Sequence, residues 1–330
     1  MKKNLWQDLT TKGPIAALAP MDGYTDSPYR QIVKKIAPNT VVFSEFFSAD
    51  GLTHSKRLQE TALKHSKIES PLIIQIFGKD PIKFAEAAKI IEDSGVDGID
   101  INMGCPARKV VKSGHGSSLM IQRETAFKIV EEMVKAVDIP VSVKTRLGWD
   151  NDEPLIDFCK GLENAGASLI TVHGRTYKQA FGGEADFTGI YKLKQALKIP
   201  VIGNGDVSDY DDGMQKILSP NPDDKPLDGF MIGRASFGNP WCFLPGKYIP
   251  TLAEVLDTMT THGELLWKWK ERRGMMEARK HLVQYLRNFP GVKSYRSQLV
   301  HVESPDDILN VIGQIRNEHA GDLQRKIDSF

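Results

Sequence analysis

Short runs of apolar and β-branched residues recur along the first two thirds of the chain, and each run ends in glycine or in polar residues. Near-continuous apolar runs are typical of strands that are buried on both faces, as the strands of a parallel sheet are. The pattern therefore predicts eight buried parallel strands. They cover residues 15–19, 40–43, 72–76, 98–102, 141–144, 169–172, 201–203 and 229–232.

Segments with helical character separate most of these runs. Asp26 precedes Ser27 and Pro28, and Asp80 precedes Pro81, so that a capping residue stands before a proline in the first helical turn. Eight strands that alternate with helices in this way predict an α/β fold, the (β/α)8 TIM barrel. The competing fold is a doubly wound open sheet, which we disfavour because no G-x-G-x-x-G follows the first strand.

Beyond about residue 250 the strand pattern fades and apolar residues recur at helical spacing. The segments 245–246 and 249–250 carry the glycine and prolines of a junction. We therefore expect a barrel domain over 1–248 and a small all-helical domain over 249–330. The predicted helix faces are Leu252, Val255, Leu256 and Met259; Met275, Ala278, Leu282, Tyr285, Leu286 and Phe289; and Ile308, Val311, Ile312 and Ile315.

The composition is that of an ordinary soluble enzyme, with 41% apolar and 26% charged residues among 330. The net charge of +1 means that any nucleic-acid surface must be a local patch. The three cysteines have no metal-ligand spacing, which predicts no metal site and favours a reducing compartment. Without a signal core or an apolar run of about 18 residues, we expect a cytoplasmic protein.

Polar residues follow nearly every predicted strand, and in TIM barrels the chemistry sits at this end of the strands. Glycines follow the last two strands at Gly205 and Gly233, where many barrels bind phosphate through backbone N–H groups. The alternative is that these glycines serve only tight turns, which explains one of the two segments but explains both together poorly. The candidate residues are Pro20, Met21, Asp22, Gln75, Asn102, Lys144, His173, Arg175, Asn204, Gly205, Asp206, Gly233 and Arg234.

Three of these side chains admit alternative roles. Lys144 suits the edge of a flavin, whose anionic reduced ring it would stabilise, but also a Schiff-base lysine or a solvated rim lysine. Gln75 suits the same ring edge or a hydrogen bond inside the barrel. His173 suits a cofactor or phosphate contact, or a core histidine bonded to the backbone.

Cys105 is the strongest catalytic candidate. It lies between Gly104 and Pro106 directly after the fourth strand, whereas Cys159 and Cys242 stand among apolar neighbours like small core residues. A cysteine with an ordinary pKa of about 8.5 is mostly protonated at neutral pH. That protonation state suits a general acid better than a nucleophile.

Five segments together resemble the tRNA-dihydrouridine synthase family. In order along the chain they are 19–26 (APMDGYTD), 100–106 (DINMGCP), 172–176 (VHGRT), 204–206 (NGD) and 232–235 (IGRA). Residues 279–281, 289–291 and Arg296 are similar to the helical tRNA-binding domain of the family, especially its bacterial B-type branch. Two departures are an apparently longer segment 219–226, expected to be a surface loop, and Asp22, where alanine is common.

The resemblance implies a reaction and a set of residues. FMN, reduced by NADPH or NADH, would pass hydride to C6 of a uridine in tRNA, and Cys105 would give a proton to C5 from the opposite side. Asn102 and Arg175 match positions that face the uridine. The flavin contacts would be Pro20, Met21, Asp22, Gln75, Lys144, His173, Asn204, Gly205, Asp206, Gly233 and Arg234.

The segment 264–300 is basic, with nine lysines and arginines against three glutamates, and Trp267, Trp269 and Tyr285 lie among them. A basic run is usually a solvated helix face. Because the segment follows a barrel with the family-like segments given above, we instead expect an RNA-binding face, which includes Arg279 and Lys280. The base inside folded RNA would have to turn out into the barrel mouth.

Two other functions compete with this interpretation. A dihydroorotate dehydrogenase-like FMN barrel would act on a free pyrimidine and would not need the basic helical segment. A flavin-free RNA-binding protein on an inherited barrel would not need Cys105 or Lys144. We expect the enzyme, acting as a monomer.

Overall fold

The chain folds into a closed barrel of eight parallel strands, paired in chain order from β1 to β8 and closed by β8 against β1. The computed structural model describes residues 5–107, 111, 113–286, 289 and 291–327. The predicted fold class and the eight predicted strands are confirmed. The strands are β1 (Ile15–Leu18), β2 (Val41–Ser48), β3 (Leu72–Phe77), β4 (Gly98–Asn102), β5 (Val141–Arg146), β6 (Ile170–His173), β7 (Val201–Asn204) and β8 (Gly229–Ile232).

Helices cover the barrel, and both predicted helix starts are confirmed. The Asp26 carboxylate accepts a hydrogen bond from the N–H of Tyr29 at 3.1 Å, and that of Asp80 accepts one from the N–H of Ile82 at 2.9 Å. The barrel helices are α1 (Leu5–Thr10), α2 (Ser27–Ile36), α3 (Ala49–His54), α4 (Lys56–Ala62), α5 (Pro81–Asp93), α6 (Arg123–Ala136), α7 (Leu155–Asn164), α8 (Thr188–Ala196) and α9 (Tyr210–Lys216).

Three α-helices follow the barrel within the described residues, namely α10 (Leu252–Tyr285), α11 (Val292–Leu299) and α12 (Pro305–Glu318). Helix α10 is broken at Glu271, whose φ of 49° and ψ of −132° lie outside the helical range. The predicted faces of α10 and α12 are buried in one hydrophobic cluster that also contains Trp241 from the barrel end. The placement of a domain boundary after residue 248 remains a prediction.

The helical segment packs against the loop after β1 and against α2. The Lys270 ammonium lies 2.6 Å from the Asp26 carboxylate and also pairs with Glu277. Tyr24 stacks on Phe237 with ring centroids 3.9 Å apart, and His281 meets the edge of Tyr24 at 5.3 Å. These contacts hold α10 beside the mouth of the barrel.

Segment 219–226 is a mostly exposed loop between α9 and β8, as predicted. Within the described ranges, no helix combines the length and the apolar character that crossing a membrane requires. The same residues contain no group of three histidine, cysteine or acidic side chains placed to hold a metal ion.

Candidate active site

A cleft of about 750 Å³ opens at the carboxyl ends of the strands. Its volume lies within the range of about 300–1,000 Å³ that is usual for ligand sites. Apart from Gln75, every residue predicted to contact the flavin lines this cleft, together with Cys105 and Asn102. These side chains come from separate segments of the sequence, and the closed barrel brings them together.

Gln75 lies below the cleft, inside the barrel. Its side-chain amide donates to Asp100 at 2.7 Å and accepts from the amide of Asn102 at 2.8 Å. Two roles were predicted for Gln75, a flavin contact and a hydrogen bond inside the barrel, and the structure shows the hydrogen bond. A contact between Gln75 and a flavin remains a prediction.

Cys105 stands on a turn that Asn102 holds in place. The side-chain oxygen of Asn102 accepts hydrogen bonds from the N–H groups of Gly104 and Cys105, at 3.2 and 2.9 Å. Burial raises the pKa of the Cys105 thiol, although a backbone hydrogen bond and the positive charge of Arg146 oppose the increase. The thiol is therefore protonated at neutral pH and can act as a proton donor. Cys159 and Cys242 are buried outside the cleft, as expected for core residues.

Lys144 supplies a positive charge to the floor of the cleft. Its ammonium donates to the Asn204 side chain at 3.0 Å, and Asn204 in turn donates to the carbonyl of Met231 at 2.8 Å. Burial, followed by repulsion from Arg146, lowers the pKa of Lys144 to about 8. Lys144 thus remains mostly cationic at pH 7 and is held at a defined position.

His173 presents a ring nitrogen that lacks a partner. Its Nδ1 atom is buried and has no hydrogen-bond partner among the described residues, although the side chain lines the cleft. Burial and then the charge of Lys144 lower the pKa of His173 to about 2, so the ring is neutral. Trp6, Thr171, Asn239 and His262 also have a buried polar atom without a partner among the described residues, but of these five side chains that of His173 alone lines the cleft, where a bound ligand can pair with it.

The ends of β7 and β8 form an open corner. Gly205 has a φ of +118°, and a Cβ atom there would stand 2.7 Å from the Cβ of Ala185. A Cβ at Gly233 would approach nothing closer than 3.7 Å, so its backbone is accessible from the cleft. Arg234 adds an exposed guanidinium at the rim, 3.4 Å from the carboxylate of Asp206, which also lines the cleft. Together with Lys144 and the unpaired His173 nitrogen, this corner fits an anionic ligand with hydrogen-bonding ring edges, as FMN has.

Arg175 does not reach the cleft. Its guanidinium is 3% exposed and contacts both carboxylate oxygens of Asp206, at 3.0 and 2.5 Å. It also donates to the carbonyls of Gly182 and Gly183, which fixes the loop after β6 to the end of β7. A contact between Arg175 and a uridine remains a prediction, and the observed role of Arg175 is that of a clamp.

Phe181 and Arg146 line the cleft although the sequence did not single them out as site residues. The Phe181 ring is 58% exposed, and the guanidiniums of Arg146 and Arg234 lie 5.6 and 5.4 Å from its centroid. Arg146 could have been found from its position at the end of β5. Phe181 gave no such signal, because it stands in an irregular loop beside two glycines.

The basic residues of α10 and α11 divide into paired and unpaired side chains. Lys270 is neutralised by Asp26 and Glu277, and Arg279 donates to the carbonyl of Val302 at 3.0 Å. The Lys280 ammonium lies 5.0 Å from the ring of Tyr24, a residue of the cleft wall. Arg287 lies outside the described residues. The exposed cations are Lys268, Arg272, Arg273, Lys293 and Arg296. Of these, Arg273 pairs with Glu277 at 3.0 Å and Arg272 lies 3.9 Å from Glu303.

Comparison with solved structures shows the fold that this site is built on. The chain is similar to the structure of a 2-naphthoyl-CoA reductase in complex with 2-naphthoyl-CoA, with a TM-score of 0.55 and 13% sequence identity, over 72% of this chain and 51% of that one. At this identity the likeness establishes the barrel alone. Fold and cleft together define a (β/α)8-barrel protein with a cleft at the carboxyl ends of its strands and a partly buried thiol in the cleft wall.

Sequence comparison establishes the family. The dihydrouridine synthase (Dus) family pattern matches residues 17–320. A probable tRNA-dihydrouridine synthase 1 of a Synechocystis species is 38% identical over 90% of this chain and 84% of its own length. The tRNA-dihydrouridine synthase B of Pseudomonas aeruginosa is 37% identical over 88% of this chain and 89% of its own length. The chain belongs to the dihydrouridine synthase family and is an oxidoreductase, which confirms the resemblance found in the sequence.

Proposed function

We propose that this protein is a tRNA-dihydrouridine synthase, which reduces the C5=C6 bond of particular uridines in tRNA with FMN and NADPH or NADH. The observation that carries the proposal is the meeting of Cys105, Lys144 and His173 on one cleft in a chain of this family. The relatives named above are described as enzymes that act on tRNA.

FMN is the cofactor that the cleft residues suit best. Gly205, Gly233 and Arg234 would hold its phosphate, and Lys144 would balance the negative charge of the reduced ring. The neutral His173 would pair its free nitrogen with the ligand. When bound, the flavin supplies the hydride, which the side chains of this chain cannot supply themselves.

Cys105 is the proposed proton donor to C5. Its thiol lines the cleft, and burial raises its pKa, so that it stays protonated at neutral pH. Asn102 stands on the same cleft wall and holds the turn that carries the thiol. A uridine that is turned out of the RNA stack would enter the cleft at the mouth of the barrel.

The helical segment is the proposed binding surface for the tRNA backbone. Lys280 connects this surface to the rim of the cleft through its contact with Tyr24. Exposed lysines and arginines bind phosphates independently of sequence and thereby orient the RNA. We further propose that the enzyme works as a monomer in the cytoplasm, where tRNA is available.

The proposal is tested by mapping dihydrouridine in the tRNA of a strain that lacks this gene. We expect particular dihydrouridines to disappear, to return with the wild-type gene, and to stay absent with Cys105→Ala. An unchanged dihydrouridine map, with no other enzyme of the family in the strain, contradicts the proposal. Activity on free pyrimidines but not on tRNA would favour the dihydroorotate dehydrogenase-like alternative.

A further inference from the structure

A row of polar side chains on three adjacent strands lies inside the barrel directly below the cleft. Gln75 of β3 pairs in register with Asp100 of β4, and Asp100 pairs with Ser142 of β5. All three side chains are completely buried. The proposed reaction gives no role to Asp100 or Ser142.

Hydrogen bonds connect this row to the turn that carries Cys105. Ser142 donates to one carboxylate oxygen of Asp100 at 2.6 Å, and Gln75 donates to the other at 2.7 Å. The oxygen of the Gln75 amide accepts from Asn102 at 2.8 Å. The oxygen of the Asn102 amide accepts from the N–H of Cys105 at 2.9 Å. The chain is continuous from Asp100 to the main chain of Cys105.

The direction of every bond in this chain follows from its two ends. A carboxylate only accepts hydrogen bonds, so Gln75 must turn its NH2 group toward Asp100 and its oxygen toward Asn102. Asn102 must then present its NH2 group to Gln75, which leaves its oxygen for the N–H of Cys105. Burial raises the pKa of Asp100 to about 6, which still leaves it mostly ionised at neutral pH.

Burying a carboxylate inside a barrel is costly unless its oxygens are paired. The neighbouring interior positions hold apolar side chains such as Ile73 and Met231. An apolar residue at position 100 would fill the space without that cost, but it would leave the Gln75 amide free to rotate. The polar row therefore serves the orientation of groups above it.

We infer that Asp100 is a positioning residue for Cys105, because it fixes the orientation of the Gln75 and Asn102 amides and thereby the turn on which the thiol stands. This inference rests on the proposed role of Cys105 as proton donor. Asp100 itself does not line the cleft, so it acts through the chain of amides.

Two substitutions separate the hydrogen-bond chain from the charge. Asp100→Asn keeps an oxygen for Gln75, and its new NH2 group can donate to the hydroxyl of Ser142, so the chain is preserved without the charge. Asp100→Leu keeps the branched shape but has larger methyl groups and accepts no hydrogen bond. Asp100→Ala removes the acceptor without adding bulk and is therefore measured beside it. The matched control is Glu69→Gln, since Glu69 is also completely buried but pairs with Arg30, away from the cleft.

The first measurement is the rate at which tRNA oxidises the NADPH-reduced, FMN-loaded protein in a single turnover. We expect Asp100→Leu to slow this step by about 10–100-fold, since a misplacement of about 1 Å can cost about 100-fold. Reduction by NADPH and affinity for tRNA should stay within about threefold of wild type, because neither uses the Cys105 turn. Asp100→Asn and Glu69→Gln should keep the wild-type single-turnover rate within the same margin.

The second measurement is the rate at which iodoacetamide alkylates Cys105, followed by peptide mass spectrometry. A released turn exposes the thiol and increases its thiolate fraction, so Asp100→Leu should react several times faster than wild type, and Asp100→Asn should not. If folded Asp100→Leu is alkylated at Cys105 and turns over tRNA at the same rates as the wild-type protein, the inference is overturned. The inference is also overturned if Asp100→Asn lowers the single-turnover rate as much as Asp100→Leu does, because the lost charge alone would then be responsible.

The alkylation measurement also separates this inference from the proposed function. If Cys105→Ala turns over tRNA at the wild-type rate, the proposed proton donor is wrong. Alkylation of Cys105 still reports on the turn in that case, so faster alkylation in Asp100→Leu supports the positioning role of Asp100 independently of the reaction.

Discussion

Cys105 combines accessibility from the cleft with a protonated state. Its thiol is partly exposed, whereas Cys159 and Cys242 are buried in the core. We predict that Cys105→Ala leaves FMN bound and reducible but lowers the rate of uridine reduction by about 10²–10⁴-fold, the usual contribution of a general acid. Stopped-flow oxidation of the reduced flavin by tRNA measures this rate. Cys159→Ala is the control and should lower stability without changing the rate per folded molecule.

Lys144 provides a pH-dependent prediction, because burial lowers its pKa to about 8. FMN should bind best below pH 8, where the ammonium is charged, and affinity should fall as the pH rises through 8. Lys144→Met should bind FMN more weakly at pH 7 and lose this transition. Titration of flavin fluorescence between pH 6.5 and 9.5 measures both effects. Lys128→Met on the exposed face of α6 should behave as wild type, and a transition that persists in Lys144→Met contradicts the assignment.

The rule that site residues lie at the strand ends predicted most of the side chains that line the cleft. It could not decide whether Gln75 and Arg175 reach the cleft. Both stand where the rule expects site residues. The Gln75 side chain instead pairs with Asp100 of the neighbouring strand β4, and the Arg175 side chain pairs with Asp206, just after β7. Such cross-strand partners depend on the register and on side-chain direction, and an apolar pattern along one strand contains neither.

At the scale of elements, the apolar runs predicted the strands well because parallel strands are buried on both faces. Strand β2 extends to Ser48, whereas the predicted strand ends at residue 43. Ser44 and Glu45 interrupt the apolar run there, at a register shift in the pairing with β3, so the pattern did not indicate the rest of the strand. Helices α1 and α11 escaped prediction since they are short and bury few side chains, namely Trp6 in α1 and Tyr295 and Leu299 in α11.

The turn after β7 depends on Gly205, where a side chain would meet Ala185 and where φ is +118°. We predict that Gly205→Ala weakens FMN binding at least tenfold, because the strained turn moves the backbone at the phosphate corner. Isothermal titration with FMN measures this loss. Gly313→Ala is the matched control: it lies within α12 with no atom near its added Cβ, and should stabilise the fold by up to about 1 kcal/mol. Unchanged FMN affinity in Gly205→Ala would contradict the assigned corner.

The charge distribution of the whole molecule yields a prediction for RNA binding. The chain carries a net charge of only +1, yet cations gather on α10 and α11, among them the half-buried Arg279 and Lys280. Replacing Arg279 and Lys280 by alanine should weaken tRNA binding and flatten the dependence of log affinity on log salt by up to roughly two units, at about 0.7–0.9 per phosphate contact. FMN content and NADPH oxidation without tRNA should not change.

The matched control for this double variant removes two lysines from the outside of the barrel. Lys128 and Lys135 of α6 are 52% and 59% exposed and pair with Glu131 and Glu132. Their replacement by alanine changes the net charge by the same amount and should leave the salt dependence of tRNA binding as in wild type. Equal slopes for all three proteins would mean that the tRNA docks elsewhere on the molecule.

Reduction of uridine in tRNA by the purified protein tests the central claim most directly. Bulk tRNA from a strain lacking this gene would be incubated with the protein, FMN and NADPH, and dihydrouridine counted by mass spectrometry of the nucleosides. The account predicts dihydrouridine at a limited set of positions, formed by the wild-type protein and at least about 100-fold more slowly by Cys105→Ala. A flavin-loaded protein that oxidises NADPH but forms no dihydrouridine in this tRNA would contradict it.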